Sequence, residues 1–164
     1  MKPYQIFARM EPEQAVDVLN ALLEGAPGVY TQAIAVASAT MKARPKFLMK
    51  QTKEKRAHLV RRALSRVAAG PIAEEVLAAY FLDAKKDLLV EWLDQLGLEH
   101  EEGVLKQDRP DSPAPAALEE AVAVFRKGED PADRELLLQA FSAQSSLDWP
   151  ALDALLEPET GGDA

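Results

Sequence analysis

The sequence predicts an all-α fold: a multi-helix bundle of seven or eight helices with a smaller C-terminal helical extension. Three observations predict it. Apolar residues make up 48% of the chain and aromatics only 6%, so the core falls to alanine and leucine, which lose little on entering a helix. The apolar residues recur three and four apart instead of alternating, which is the period of a helix face and not of a strand. Prolines and glycines fall between the periodic stretches, where helices start and stop.

A helix opens at Glu11-Pro12-Glu13, because proline suits the first helical position and acids suit the positive helix end. Val16, Leu19, Leu22 and Leu23 form its face, and Gly25 and Pro27 stop it. The next opens at Pro27 or Gly28 and runs to about Ala43, with Tyr30, Ala33, Ile34, Ala37 and Met41 on one side and Ala35, Val36 and Ala39 on the other. A helix this apolar all round is expected at the centre of the bundle. Arg44-Pro45 ends it, since a residue before proline avoids helical geometry, and Pro45 can then open the segment that follows.

Thr52 is placed to cap a third helix running to about Ala69. Val60, Leu64, Val67 and Ala68 face inward there, and Lys55, His58, Arg62 and Arg66 face outward, before Gly70-Pro71 closes it. A fourth helix covers residues 72–84, with Ile72, Val76, Ala79 and Tyr80 on one side. A fifth, from Asp87, carries Leu89, Trp92, Leu93 and Leu96 and either stands alone or continues the fourth; Gly97 stops it. Residues 99–103 read as a polar loop.

Residues 1–105 are therefore read as the bundle, and residues 106–116, with Pro110, Pro113 and Pro115, as an extended linker. Residues 117–156 form the helical extension: one helix with Leu118, Ala121, Val122 and Phe125, one from Asp130-Pro131 with Leu137, Ala140 and Phe141, and one from Trp149-Pro150 with Leu152, Leu155 and Leu156. So short a segment is near the limit of independent stability and is expected to pack on the bundle. Residues 157–164 are expected to be a disordered tail. The proline-led helix starts resemble one another, but their spacing is irregular and no periodic repeat results.

The chain has no cysteine, which removes disulfides and thiolate chemistry. The N-terminus lacks the apolar run of a signal peptide, and no apolar stretch approaches the roughly 20 residues of a membrane span, so a cytoplasmic setting away from membranes is expected. No glycine-rich phosphate loop is present, and the two histidines lack metal-ligand spacing, so no cofactor or metal is expected. His100, within Glu99-His100-Glu101-Glu102, reads as part of an exposed loop, and His58 as a solvated or phosphate-facing side chain. The carboxylate pairs Glu74/Glu75, Asp83/Asp87 and Glu119/Glu120 read as ordinary acidic helix surface, and the serines lack the glycine context of an activated nucleophile. Trp92 reads as core; Trp149 reads as core or as an interface anchor.

The net charge is −8, yet residues 42–66 hold ten Lys or Arg against one acid, Glu54. Three readings follow. The basic segment is neutralised internally by the acidic fourth or fifth helix or by the acidic C-terminal segment, residues 117–156, which on its linker would compete with an anionic partner; or it docks an anionic protein partner; or it binds nucleic acid weakly through Lys50, Lys53, Lys55, Arg56, Arg62 and Arg66. Against nucleic acid stand the acidic balance, the lack of a helix-turn-helix pair and the single aromatic, Phe47, within the segment. The leading expectation is a non-enzymatic interaction or adaptor module, with a nucleic-acid accessory protein as the alternative.

Overall fold

A computed structural model describes residues 1–157. It is all-helical apart from one small hairpin: α1 (Pro3–Arg9), α2 (Pro12–Gly25), α3 (Pro27–Met41), α4 (Pro45–Met49), α5 (Lys53–Leu64), α6 (Gly70–Ala79), α7 (Lys86–Gln95), β1 (His100–Glu101), β2 (Val104–Leu105), α8 (Pro115–Arg126), α9 (Pro131–Ser142) and α10 (Pro150–Leu156). A 3-10 turn, Val67–Ala69, precedes α6, and a π turn, Tyr80–Ala84, follows it. The expected disordered tail lies, from residue 158 on, outside the described residues.

Proline sets the helix starts. Pro3, Pro12, Pro27, Pro45, Pro115, Pro131 and Pro150 each occupy the first position of a helix, where the missing N–H costs nothing and the fixed φ is already helical. Two of these starts escape the periodicity reading. Helix α1 precedes the first expected helix, and α8 begins inside the expected linker, which is correspondingly shorter. The expected loop at 99–103 is a two-stranded antiparallel hairpin pairing His100 with Leu105 and Glu101 with Val104. Glu102 and Gly103 both take positive φ, 50° and 90°, the geometry of a tight two-residue hairpin turn.

Helix α5 packs on α1, α2 and α3, and α6 on α1, α3 and α9. Expected as the central helix, α3 instead lies at the surface: Tyr30, Ala33, Ile34, Ala37 and Ser38 are buried, while Thr31, Gln32, Ala35 and Ala39 face solvent. Alanine has too little surface for its exposure to carry much penalty, so an alanine-rich helix need not be central. The third expected helix also ends early, at Leu64; Val67 and Ala68 are exposed in the turn that follows.

The fourth and fifth expected helices are separate. Between them the Lys85 N–H donates to the Tyr80 carbonyl at 3.1 Å, five residues back. This widened turn buries the adjacent rings of Tyr80 and Phe81 together. The Tyr80 hydroxyl donates to Asp133 Oδ1 at 3.0 Å, and Lys85 Nζ lies 3.2 Å from Asp133 Oδ2, fastening α9 to the π turn. Burial, and then the charge of Asp133, raise the Tyr80 phenol well above its ordinary pKa.

The C-terminal helices pack on one another and on α1, α6 and α7. Trp92 of α7 meets Phe125 of α8 and Phe141 of α9 with ring centroids 5.1 and 5.9 Å apart, and Phe141 meets Trp149 at 5.4 Å. Trp149 is therefore core, not an exposed interface anchor. Its indole N–H donates to the Pro110 carbonyl at 2.9 Å, holding the linker against the fold. One apolar cluster includes buried residues from both parts of the chain.

Arg134, only 7% exposed, is the main charged group inside this junction. It donates to both carboxylate oxygens of Glu91 (2.8 and 3.0 Å) and to the carbonyls of Phe125 (3.0 Å) and Glu129 (2.6 Å). Its guanidinium also sits over the Phe125 ring, 4.7 Å from the centroid. The space for it exists because residue 128 is glycine: a Cβ there would lie 2.0 Å from Arg134 Cζ. In most contexts Gly→Ala is tolerated or stabilising where φ allows it. Here Gly128→Ala is expected to displace Arg134 and destabilise the protein by about 1–3 kcal/mol. Urea denaturation checks this, and in an Arg134→Ala background the same substitution should lose most of its penalty.

Candidate functional site

The basic segment begins where α3 ends. Lys42 takes a left-handed conformation with φ 53°, the Ala43 N–H donates to the Ser38 carbonyl, and the Ser38 hydroxyl donates to that of Ala43. The chain thereby turns into α4, which Pro45 opens. A one-turn helix can direct few side chains inward. In α4 that residue is Leu48, fully buried, and its neighbours Phe47 and Met49 are left 46% and 45% exposed beside Lys46 and Lys50. Thr52 then caps α5 as expected, its hydroxyl oxygen accepting from the Lys55 N–H at 3.2 Å.

Helix α5 buries Ala57, Val60, Ala63 and Leu64 and presents Lys55, His58 and Arg62 to solvent. Lys50 and Lys53 stand exposed at its N-terminal end and Arg66 just past its C-terminal end. Five of the six expected anion-binding residues, Lys50, Lys53, Lys55, Arg62 and Arg66, are thus accessible on or beside this one helix.

Arg56 is placed differently. Its Nε donates to the Leu48 carbonyl (3.0 Å), its Nη2 to those of Met49 (2.8 Å) and Gln51 (3.0 Å), and its Nη1 to the Tyr30 hydroxyl (3.2 Å). A short helix leaves its last carbonyls without partners, and this guanidinium supplies them. Arg56 is a cap for α4 and not a free cation. Arg61 is half-buried and also turned toward the fold, with Nη1 3.4 Å from the Phe7 carbonyl and Nη2 3.4 Å from His58 Nδ1.

The expected internal neutralisation is not seen. Among the described residues, the ion pairs are Lys85–Asp133, Lys86–Glu102, His100–Asp94, Arg126–Glu135 and Arg134–Glu91, and none involves residues 42–66. The acidic segment 117–156 packs on α1, α6 and α7, where the aromatic junction holds it, and it does not cover the outer side of α5. Of its acids, Asp133 pairs with Lys85 and Glu135 with Arg126 instead.

The other expected chemistry is dispersed. His100 is mostly buried, not an exposed loop residue. Its Nδ1 accepts from the Gly103 N–H at 3.1 Å and its Nε2 meets Asp94 Oδ1 at 2.7 Å, so it holds the hairpin to the end of α7. Glu74 accepts from the Ser145 N–H and hydroxyl, while Asp83, Asp87, Glu119 and Glu120 are exposed. Among the described residues no group of three or more His, Asp or Glu is placed to hold a metal ion, and no helix is long and apolar enough to cross a membrane.

Comparison of the chain with protein-family models, with curated proteins and with solved structures gives no match.

Because Arg56 serves the backbone and not a ligand, Arg56→Lys should loosen α4 although the charge is kept. A lysine ammonium cannot reach three carbonyls in a planar fork. Amide hydrogen exchange over residues 47–51 is expected to quicken by about tenfold, in keeping with the loss of roughly 1–2 kcal/mol of local hydrogen bonding.

Proposed function

We propose that this chain is a non-enzymatic interaction module whose α4–α5 face docks an acidic, amphipathic segment of a partner protein. The observation that carries the reading is the combination on that face. Lys46, Lys50, Lys53, Lys55, Arg62 and Arg66 stand exposed without an acidic partner among the described residues, and two large apolar side chains, Phe47 and Met49, are exposed among the N-terminal members of this set. Cations alone attract any anion; cations flanking apolar groups suit a helix or strand that alternates acids with apolar residues. The positive end of α5 reinforces the cations at Lys50, Lys53 and Lys55. A chain with no cysteine suits a cytoplasmic setting, which belongs to the same reading.

One observation favours the alternative, a single-stranded nucleic-acid accessory protein: Phe47 is an exposed ring beside lysines, as a base-stacking side chain would be. It is the single exposed aromatic of the segment, whereas stacking platforms use successive rings. A net charge of −8 also opposes long-range attraction of a densely charged polyanion.

Fluorescence polarisation at about 50 and about 200 mM salt separates the two. The probes are a labelled helical peptide alternating glutamate with leucine, a polyglutamate of equal charge, and single-stranded DNA and RNA oligonucleotides. The reading expects the amphipathic peptide to bind best and to weaken with salt. It expects Lys50→Glu/Lys53→Glu to weaken it by about tenfold or more, and Phe47→Ser to weaken the amphipathic peptide while leaving polyglutamate binding unchanged. Tighter binding of the oligonucleotides, lost in Phe47→Ser, would replace the reading with the alternative. No binding of any probe at the lower salt would overturn both.

A further inference from the structure

On a different side of the molecule a cleft of about 370 Å³ opens between α6 with its π turn, α7, α9 and the hairpin. Its walls are Leu77, Phe81, Leu89, Leu93, Leu137 and Phe141. These side chains are buried in the common core, so the floor of the cleft is fixed by the packing of the bundle. The cleft falls at the small end of the roughly 300–1,000 Å³ typical of small-molecule sites.

The hairpin forms one edge and is held there tightly. Gly103 lines the cleft so closely that a Cβ would lie 3.0 Å from Leu89 Cδ2, and its φ of 90° is one that only glycine adopts freely. His100, bridging Asp94 and the Gly103 N–H, and Lys86, paired with Glu102 at 3.3 Å, fix the hairpin from the outside. Exposed Leu82 and Val104 extend the apolar surface to the mouth.

The charges of the lining have one sign. Glu74 and Asp108 are its charged side chains, and no lysine, arginine or histidine is among them. Glu74 Oε1 accepts from the Ser145 N–H at 2.7 Å and hydroxyl at 3.1 Å; its second oxygen, and the carboxylate of Asp108, have no hydrogen-bond donor among the described residues. The remaining polar lining, Gln107, Gln144 and Ser146, is neutral. An apolar cleft with the free Asp108 carboxylate and one free oxygen on Glu74 complements an apolar body that carries a cationic donor. It repels the same body carrying an anion, and it gives a neutral analogue only the apolar term.

From this we infer that the cleft is a binding site for a small amphipathic amine: a compact aliphatic or aromatic body seated on Leu77, Phe81 and Phe141, with a protonated amino group at Glu74 and Asp108. The inference does not depend on the α4–α5 face, and its test uses different probes.

The intact chain is titrated with 4-phenylbutylamine, 4-phenylbutanol and 4-phenylbutyrate, three probes with one apolar body, and followed by amide chemical shifts. The amine is expected to give saturable shifts centred on Leu77, Phe81, Gly103 and Leu105. The alcohol should bind about tenfold more weakly, as expected for the loss of a charge-assisted hydrogen bond, and the butyrate more weakly still. Asp108→Asn, at an exposed position, and Glu74→Gln, which keeps an acceptor for Ser145, should together bring the amine down to the affinity of the alcohol. Ala78→Trp, on the exposed rim, should block all three probes while the remaining amide spectrum keeps its native dispersion. No saturable shift with the amine, equal binding of amine and butyrate, or shifts that survive Ala78→Trp would each overturn the inference.

Discussion

The indole of Trp92 has no exposed surface and packs between Phe125 and Phe141, so helices from both parts of the chain close on one ring. Aromatic pairs at such distances add to an already large burial term, and here they also fix position. Once α8 and α9 are seated on Trp92, Trp149 stacks on Phe141 and draws in Pro110 of the linker, and Arg134 is set over Phe125 against Glu91. The C-terminal helices are thereby committed to the α1, α6 and α7 side. Their acids are committed with them, and no ion pair among the described residues reaches the cations on the outer side of α5, where Glu54 is the one acid of the helix. Both candidate sites depend on this one junction: the basic face because it is left uncovered, and the apolar cleft because Leu93, Leu137 and Phe141 wall it.

Much of the helical layout was legible in the residues because proline acts locally. Pro12, Pro27, Pro45, Pro131 and Pro150 mark helix starts through their fixed φ, whatever the tertiary context. Pro3 and Pro115 follow the same rule but were masked, the first by the brevity of α1 and the second by its neighbours Pro110 and Pro113, which give the stretch the composition of a linker. Features set by tertiary contact were not legible. In α3 the helical spacing separates Ala33 and Ala37 from Ala35 and Ala39, as the structure has them, but nothing in the sequence says that the second side faces solvent. The π turn exists because both Tyr80 and Phe81 are buried, and the hairpin because Gly103 fits against Leu89.

The candidate face was legible by charge and not by orientation. Counting cations located residues 42–66, and helical spacing identified Lys55, His58 and Arg62 as one outward set. The inward turn of Arg56 depends on the carbonyl ends of α4, a helix the sequence shows only as a proline followed by four residues. The exposure of Phe47 and Met49 follows from the same helix being one turn long, since Leu48 alone reaches the core. The cleft was the least legible feature: its walls come from α6, α7 and α9, and its charges, Glu74 and Asp108, lie far apart in the chain with no shared motif.

The central claim is that the core, by fixing the acidic C-terminal helices elsewhere, leaves the lysines of the α4–α5 face open. Competitive lysine acetylation read by mass spectrometry tests it on the intact chain, at low and at high salt. The account predicts that Lys46, Lys50, Lys53 and Lys55 react at the rate of exposed lysines at both salt concentrations, while Lys85, paired with Asp133, reacts more slowly. Protection of Lys50, Lys53 and Lys55 at low salt, relieved at high salt, would mean that the chain's own acids cover the face, and would contradict it.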